Sequence, residues 1–258
     1  MNNIFKCTAV CTVIAMVAGS LVTPAFAAGG GAELEKADID PGAVPSLQRG
    51  ARNFMNYCSG CHSAQYVRYN TIGKHLELSD EQLVDNLMFN ADKTFETIRA
   101  AMPAAEAERW YGVAPPDLSL MARSKGADYI YTFLKSFYVQ EESPTGVDNI
   151  VMPATSMPHV LWELQGFQRA VFSEHSEEDA DGNTTTTQHF EGFEPVSAGT
   201  LDAEDYDIFV RDTVNFLAYI AEPIRADRRK IGTWVIMYLI VFFIIAVMLK
   251  KQIWKDVH

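Results

Sequence analysis

Four stretches of this chain repeat apolar residues at intervals of three and four, the spacing of one helix face. Leu47, Gly50, Ala51, Phe54 and Tyr57 form the first. The second opens with Ser79-x-x-Gln82, a capping-box pattern, and carries Leu83, Leu87 and Met88. Tyr129, Ile130, Phe133, Leu134 and Phe137 make the third. The fourth is the clearest: Tyr206, Phe209, Val210, Thr213, Phe216, Leu217 and Ile220 share a face that Pro223 ends. Pro103, Pro115, Pro116, Pro153, Pro158 and Pro195 fall in the stretches between. The pattern predicts a mainly α domain without a central sheet.

Two longer apolar runs flank that domain. Residues 1–27 read as a secretory signal: Lys6 gives a positive start, Ala9 to Val22 is mostly apolar, and Ala25-Phe26-Ala27 is a small-x-small cleavage site. Ile231 to Leu249 is a run of 19 residues without charge, long enough for one helix to cross a hydrocarbon core. Trp234 and Tyr238 sit near one end and Trp254 beyond the other, as interfacial aromatics do. The expected organisation is a signal peptide at 1–27, an exported domain at 28–222, a basic hinge at 223–230, a membrane helix at 231–249 and a cytoplasmic tail at 250–258. A cleaved signal sends the domain outward. The basic residues Arg225, Arg228, Arg229 and Lys230 then break the simple positive-inside pattern, and the sequence offers no account of that.

Cysteine usage narrows the chemistry. Of the 4 Cys, Cys7 and Cys11 fall in the signal, so the exported part keeps only Cys58 and Cys61. They stand in Cys58-Ser59-Gly60-Cys61-His62, and C-x-x-C-H is the attachment signal for c-type haem. Two thiols at that spacing can add to the two vinyl groups of one porphyrin, and the next histidine then lies under the iron. Zinc or dithiol chemistry would need only the bare C-x-x-C.

An iron that only carries electrons needs a sixth ligand. His75, His159, His175, His189 and His258 remain after His62, and a lone histidine is more often a surface or capping residue. Met102, Met152 and Met157 each precede a proline, which stiffens an extended loop and suits a thioether reaching over a haem face. Met121 lies on a helical stretch, where packing is the simpler role. This chemistry alone does not separate Met152 from Met157.

Charge excludes one class of partner. Without Lys6 the exported chain has 20 basic against 33 acidic residues, a net charge of −13. Such a chain is unsuited to nucleic acid and suited to steering a basic protein, an effect that fades with salt. The acids concentrate between Glu174 and Asp181, which reads as a loose acidic loop before Gly182-Asn183 and the Thr184 to Thr187 run.

Several blocks then resemble the cytochrome c1 family. They are Cys58 to Ser63 with Tyr66 and Arg68-Tyr69, Pro115-Pro116-Asp117-Leu118-Ser119, and Arg123 with Gly126-Ala127-Asp128-Tyr129-Ile130. Met157-Pro158-His159-Val160-Leu161-Trp162 and Val214-Asn215-Phe216-Leu217-Ala218-Tyr219 with Glu222-Pro223 complete the order. The resemblance implies an enlarged class I cytochrome c domain with a single C-terminal transmembrane helix. It also implies one covalent haem c held by Cys58, Cys61, His62 and, in preference to Met152, Met157. It places Tyr129 and a basic residue, Arg123 or Lys125, near the haem propionates. In that fold an N-terminal helix crosses the C-terminal one closely, for which Gly50 and Phe54 are suited on one side and Phe216, Leu217 and Ile220 on the other.

The function implied is electron transfer within a cytochrome bc1 complex, from the [2Fe–2S] cluster of a Rieske iron–sulfur protein to a basic cytochrome c. The span would pack against cytochrome b in a bacterial inner membrane, with the haem domain in the periplasm. No nucleophile or acid–base pair is called for, so the chain by itself is not a catalyst. Three other readings stand beside it: a membrane-anchored c-type cytochrome of another respiratory complex, a haem-based sensor with an open iron site, and a haem-free metal or dithiol module.

Overall fold

The computed structural model describes residues 33–178 and 184–256. The expected signal at 1–27, the end of the acidic run at 179–181 and His258 lie outside the described residues. In chain order the elements are α1 (Val44–Tyr57), β1 (Ala64–Arg68), α2 (Tyr69–His75), α3 (Asp80–Asn86), β2 (Thr97–Ile98), α4 (Ala104–Tyr111) and α5 (Met121–Ser124). There follow α6 (Ala127–Lys135), β3 (Phe137–Val139), β4 (Val147–Asn149), α7 (Trp162–Gln165), β5 (Gly166–Glu178), β6 (Thr184–Ala198), α8 (Ala203–Ala221) and α9 (Arg225–Ile253).

Each of the four patterned stretches forms a helix, although Leu87 caps α3 and Met88 lies beyond its end. Ser79 caps α3 with both bonds of the box: its hydroxyl accepts from Gln82 N at 3.2 Å, and its own N–H reaches Gln82 Oε1 at 2.9 Å. The third stripe leaves the helix at Lys135, so that Phe137 is buried in β3. Asp202 caps α8 by accepting from Asp205 N at 2.8 Å.

The core lies where α1 crosses α8. Phe54 and Phe216 are fully buried there, their ring centroids 5.7 Å apart. The backbones meet because residue 50 has no side chain: a Cβ on Gly50 would sit 2.1 Å from the Asp212 carbonyl oxygen. Polar groups at the crossing pair with each other. Asn53 Nδ2 donates to Phe209 O at 3.2 Å, and Asn215 Nδ2 to Asp40 O at 2.8 Å. The buried Asp212 carboxylate accepts from Ser46 Oγ at 2.6 Å and Arg49 Nη2 at 3.0 Å.

Asp212→Ala would leave those donors without their acceptor. The Arg49 side chain is 48 % exposed, so water screens its half of the pair and takes up part of the loss. The expected destabilisation is about 2 kcal/mol, the range of a hydrogen bond to a charged group, read from denaturant unfolding of the haem-loaded protein. A change below about 0.5 kcal/mol, as for ordinary surface sites, would show that the network contributes little.

One region differs from the expectation. Residues 174–178 of the segment read as a loose acidic loop, and the threonines at 184–187, belong to a long antiparallel hairpin, β5 with β6, paired from Gly166–Ala198 out to Glu178–Thr184. Its acids drew attention to composition, whereas Val171, Phe172, the threonines at 184–187 and Phe190 are strand formers. Their pairing shows only when the two arms are aligned. Phe172 meets Phe190 across the ladder with centroids 6.0 Å apart, and Tyr138 of β3 meets Phe172 at 6.1 Å. Gln168 Nε2 fastens the base of the hairpin to the carbonyls of Lys135 and Phe137, both at 2.8 Å. β1–β2 and β3–β4 are shorter ribbons of the same kind, and neither makes a central sheet.

Helix α9 is long and apolar enough to cross a membrane over Lys230–Ile253, and that stretch buries nothing against the rest of the chain. Exposed Phe, Ile and Leu over such a length suit lipid, not water. The helix starts at Arg225, so the basic residues ride on its first turns, where Arg228 pairs with Glu222.

Candidate haem site

The C-x-x-C-H motif continues the last turn of α1. Cys58 and Ser59 both donate their N–H to Phe54 O at 2.9 Å, and Ser59 Oγ donates to Met55 O at 2.7 Å. Cys61 N and His62 N then return to Cys58 O at 3.1 and 2.8 Å, closing a compact turn. Cys58 and Cys61 therefore stand one turn apart, and neither is in a disulfide. Burial pushes the Cys58 thiol up to about 12, with Cys61 adding to the effect, and burial raises the Cys61 thiol too. The upward direction is opposite to the lowered pKa of a dithiol redox site.

The histidine of the motif has a defined orientation. His62 Nδ1 lies 2.8 Å from Pro116 O. A carbonyl can only accept, so Nδ1 carries the proton and Nε2 presents its lone pair to a metal. Burial also lowers the His62 pKa, which keeps the ring neutral and able to ligate. The Pro-Pro-Asp-Leu-Ser block holds that carbonyl in place. Asp117 Oδ2 accepts from Gln65 N at 2.9 Å, Leu118 N donates to Ser63 O at 2.8 Å, and Ser119 Oγ accepts from Tyr66 N at 3.1 Å. Residues 100–102 close the turn from another side, with Ala100 N on Ser63 Oγ at 2.8 Å and Met102 N on Gly60 O at 3.0 Å.

A cleft of about 870 Å³ is lined by Trp110, Tyr111 and Gly112, by Gln140, Ser143, Thr145 and Asp148, and by Ala154, Thr155, Ser156 and Pro158; Cys58, Cys61, His62 and Met157 do not line it. Met157 is half-buried against the hydrophobic core, whereas Met152 is 51 % exposed. Met121, the first residue of α5, packs against the core. Two thiols one turn apart, followed by an oriented imidazole, suit the attachment of a c-type haem.

The remaining candidates are placed elsewhere. His75 Nδ1 bonds Tyr219 Oη at 2.8 Å, and His189 lies on the hairpin, 3.4 Å from Glu191. His159 is buried, its ring stacked on Phe137 with centroids 5.1 Å apart, and burial pulls its pKa down to about 4. Lys125 Nζ stands 5.5 Å over the Tyr129 ring, which brings together two of the residues expected near propionates, while Arg123 is exposed on α5. Gly126 joins α5 to α6 at φ +94°, a conformation that favours glycine. Sequence reasoning did not assign Pro116 its role, because no local pattern marks a carbonyl that will face a histidine 54 residues earlier.

Comparison with known proteins gives the same picture. Residues 43–257 match the Cytochrome C1 family. The chain is 46% identical over 236 residues to cytochrome c1 of Allochromatium vinosum, covering 92% of this chain and 94% of that one. It is 38% identical over 242 residues to the ammonia monooxygenase gamma subunit of Nitrosomonas europaea, covering 92% and 95%. Against the mitochondrial cytochrome c1 haem protein of Saccharomyces cerevisiae it is 25% identical over 231 residues, covering 82% and 67%.

Proposed function

This chain belongs to the cytochrome c1 family, and from that premise we propose how it carries electrons. Members hold one covalent c-type haem and serve as electron-transfer subunits of the bc1 complex. Here Cys58 and Cys61 would tether the ring, and His62 and Met157 would ligate its iron. The haem, when bound, would supply one-electron cycling. The electron comes from the cluster of a Rieske iron–sulfur protein and leaves to a basic cytochrome c, drawn by the acidic surface. Helix α9 anchors the chain once, against cytochrome b, with residues 28–222 in the periplasm after removal of 1–27, and residues 250–258 in the cytoplasm. The chain alone makes and breaks no bonds of a substrate.

The hydrogen bond from His62 Nδ1 to Pro116 O is the observation that supports this reading, because it leaves Nε2 free to ligate an iron. The test is to purify the tagged protein from membranes in mild detergent and record difference spectra after ascorbate, then dithionite. A c-type band with ascorbate, joined by b-type bands only with dithionite, is expected. Absence of a covalent haem band would overturn the assignment.

A second reading is favoured by one observation, the 38% identity to a chain named as a subunit of ammonia monooxygenase. The same anchored cytochrome would then serve a different membrane complex. A c-type band without accompanying b-type haem or iron–sulfur protein would support it.

A further inference from the structure

We propose that Asn149 is the positioning residue for the sixth ligand, clamping the loop that presents Met157; this rests on Met157 being that ligand. Asn149 ends β4, fully buried and opposite Phe137 in the ladder. Its Nδ2 donates to Phe133 O at 2.8 Å, at the end of α6. Its Oδ1 accepts from Val151 N at 2.9 Å and Met152 N at 3.3 Å. One amide therefore ties the start of the loop to a helix end, using donor and acceptor at once.

The clamp continues along the loop. Asp148 Oδ1 accepts from Thr155 N at 3.3 Å, and the buried Thr155 accepts from Met157 N on its Oγ1 at 3.4 Å. Between them Ala154 is held at φ +60°, left-handed backbone that a non-glycine residue adopts only when its surroundings insist. Met152, Pro153 and Ala154 are exposed, so packing does not restrain the middle of the loop. At the far end Pro158 fixes the chain and His159 stacks on Phe137. Both ends are thus referred to the same β3 residue.

The arrangement matters because a thioether is a neutral, weak ligand. Its hold on the iron depends on the loop being ordered beforehand, in the way preorganisation strengthens any binding contact. With the clamp released, the loop regains freedom and the sixth position opens. The cysteines and His62 are on other elements, so the tether is unaffected.

The test uses haem-loaded protein from membranes, with Asn149→Ala, Thr155→Val and Met157→Leu compared. Asn149→Ala is expected to lose most of the near-infrared band of methionine-bound ferric haem and to take up carbon monoxide when reduced, with haem content per chain and helical circular dichroism retained. Thr155→Val is expected to lose part of the band. A full band and no carbon monoxide uptake in both variants would overturn the proposal. If Asn149→Ala does not accumulate, Thr155→Val decides by the same criterion. Retention of the band in Met157→Leu would instead overturn the ligand assignment, leaving the two failures distinguishable.

Discussion

Met157→Leu is expected to lower the midpoint potential of the haem and to let the reduced protein bind carbon monoxide. Met152→Leu is expected to change neither. Leucine nearly conserves the volume of methionine, so the packing cost at a half-buried site stays below about 1.5 kcal/mol and the domain remains folded. What disappears is the sulfur. A methionine ligand raises the potential of a c-type haem, so its loss lowers it, by the order of 0.1 V within the ~0.8 V that axial ligands span. The open coordination position accounts for the carbon monoxide. Met152 carries the same sulfur but is 51 % exposed and stands five residues earlier, away from the core against which Met157 packs. Redox titration and carbon monoxide difference spectra decide the matter. The reverse outcome, with Met152→Leu opening the site, would move the ligand to Met152 and take the Asn149 clamp with it.

The contrast between these two methionines shows which features can be read from a sequence. Local patterns were legible: the stripe of α8 and the Ser79 box follow from the periodicity of a helix and the chemistry of a cap, whereas the approach of Gly50 to Phe216 was implied only by the family resemblance. The haem motif was legible too, because the covalent chemistry fixes its spacing. Features that depend on distant partners were not. Both methionines precede a proline, and only the folded chain distinguishes their exposure. The role of Pro116 is to offer a backbone oxygen, which no side chain announces. The hairpin was hidden for another reason: its ladder joins residues up to 32 apart, from Gly166 to Ala198, and its acids suggested a solvated loop. In each case the missing information was a long-range pairing rather than a local preference.

Gly50→Ala is the second large effect, and two opposing terms decide its sign. Helix propensity favours alanine over glycine by ~1 kcal/mol within α1, so an isolated helix would gain stability. The crossing with α8 reverses this. An added Cβ would lie 2.1 Å from Asp212 O and 2.7 Å from Phe216 Cβ. The first of these is backbone, so relief requires α1 to shift away from α8 rather than a side chain to rotate. Overpacking of a tight core costs 1–3 kcal/mol and occasionally more, and contact with backbone belongs at the upper end, about 3 kcal/mol or beyond. The net expectation is destabilisation by roughly 2 kcal/mol or more, a large share of the 5–15 kcal/mol that holds an ordinary domain together. Because Cys58 caps the same helix through Phe54 O, movement of α1 also displaces the thiols, and the yield of haem-loaded protein should fall with the stability. Denaturant unfolding followed by helical circular dichroism, together with haem per chain, measures both. A variant as stable as the parent or more so would mean that propensity outweighs contact, and that the two helices do not meet at Gly50.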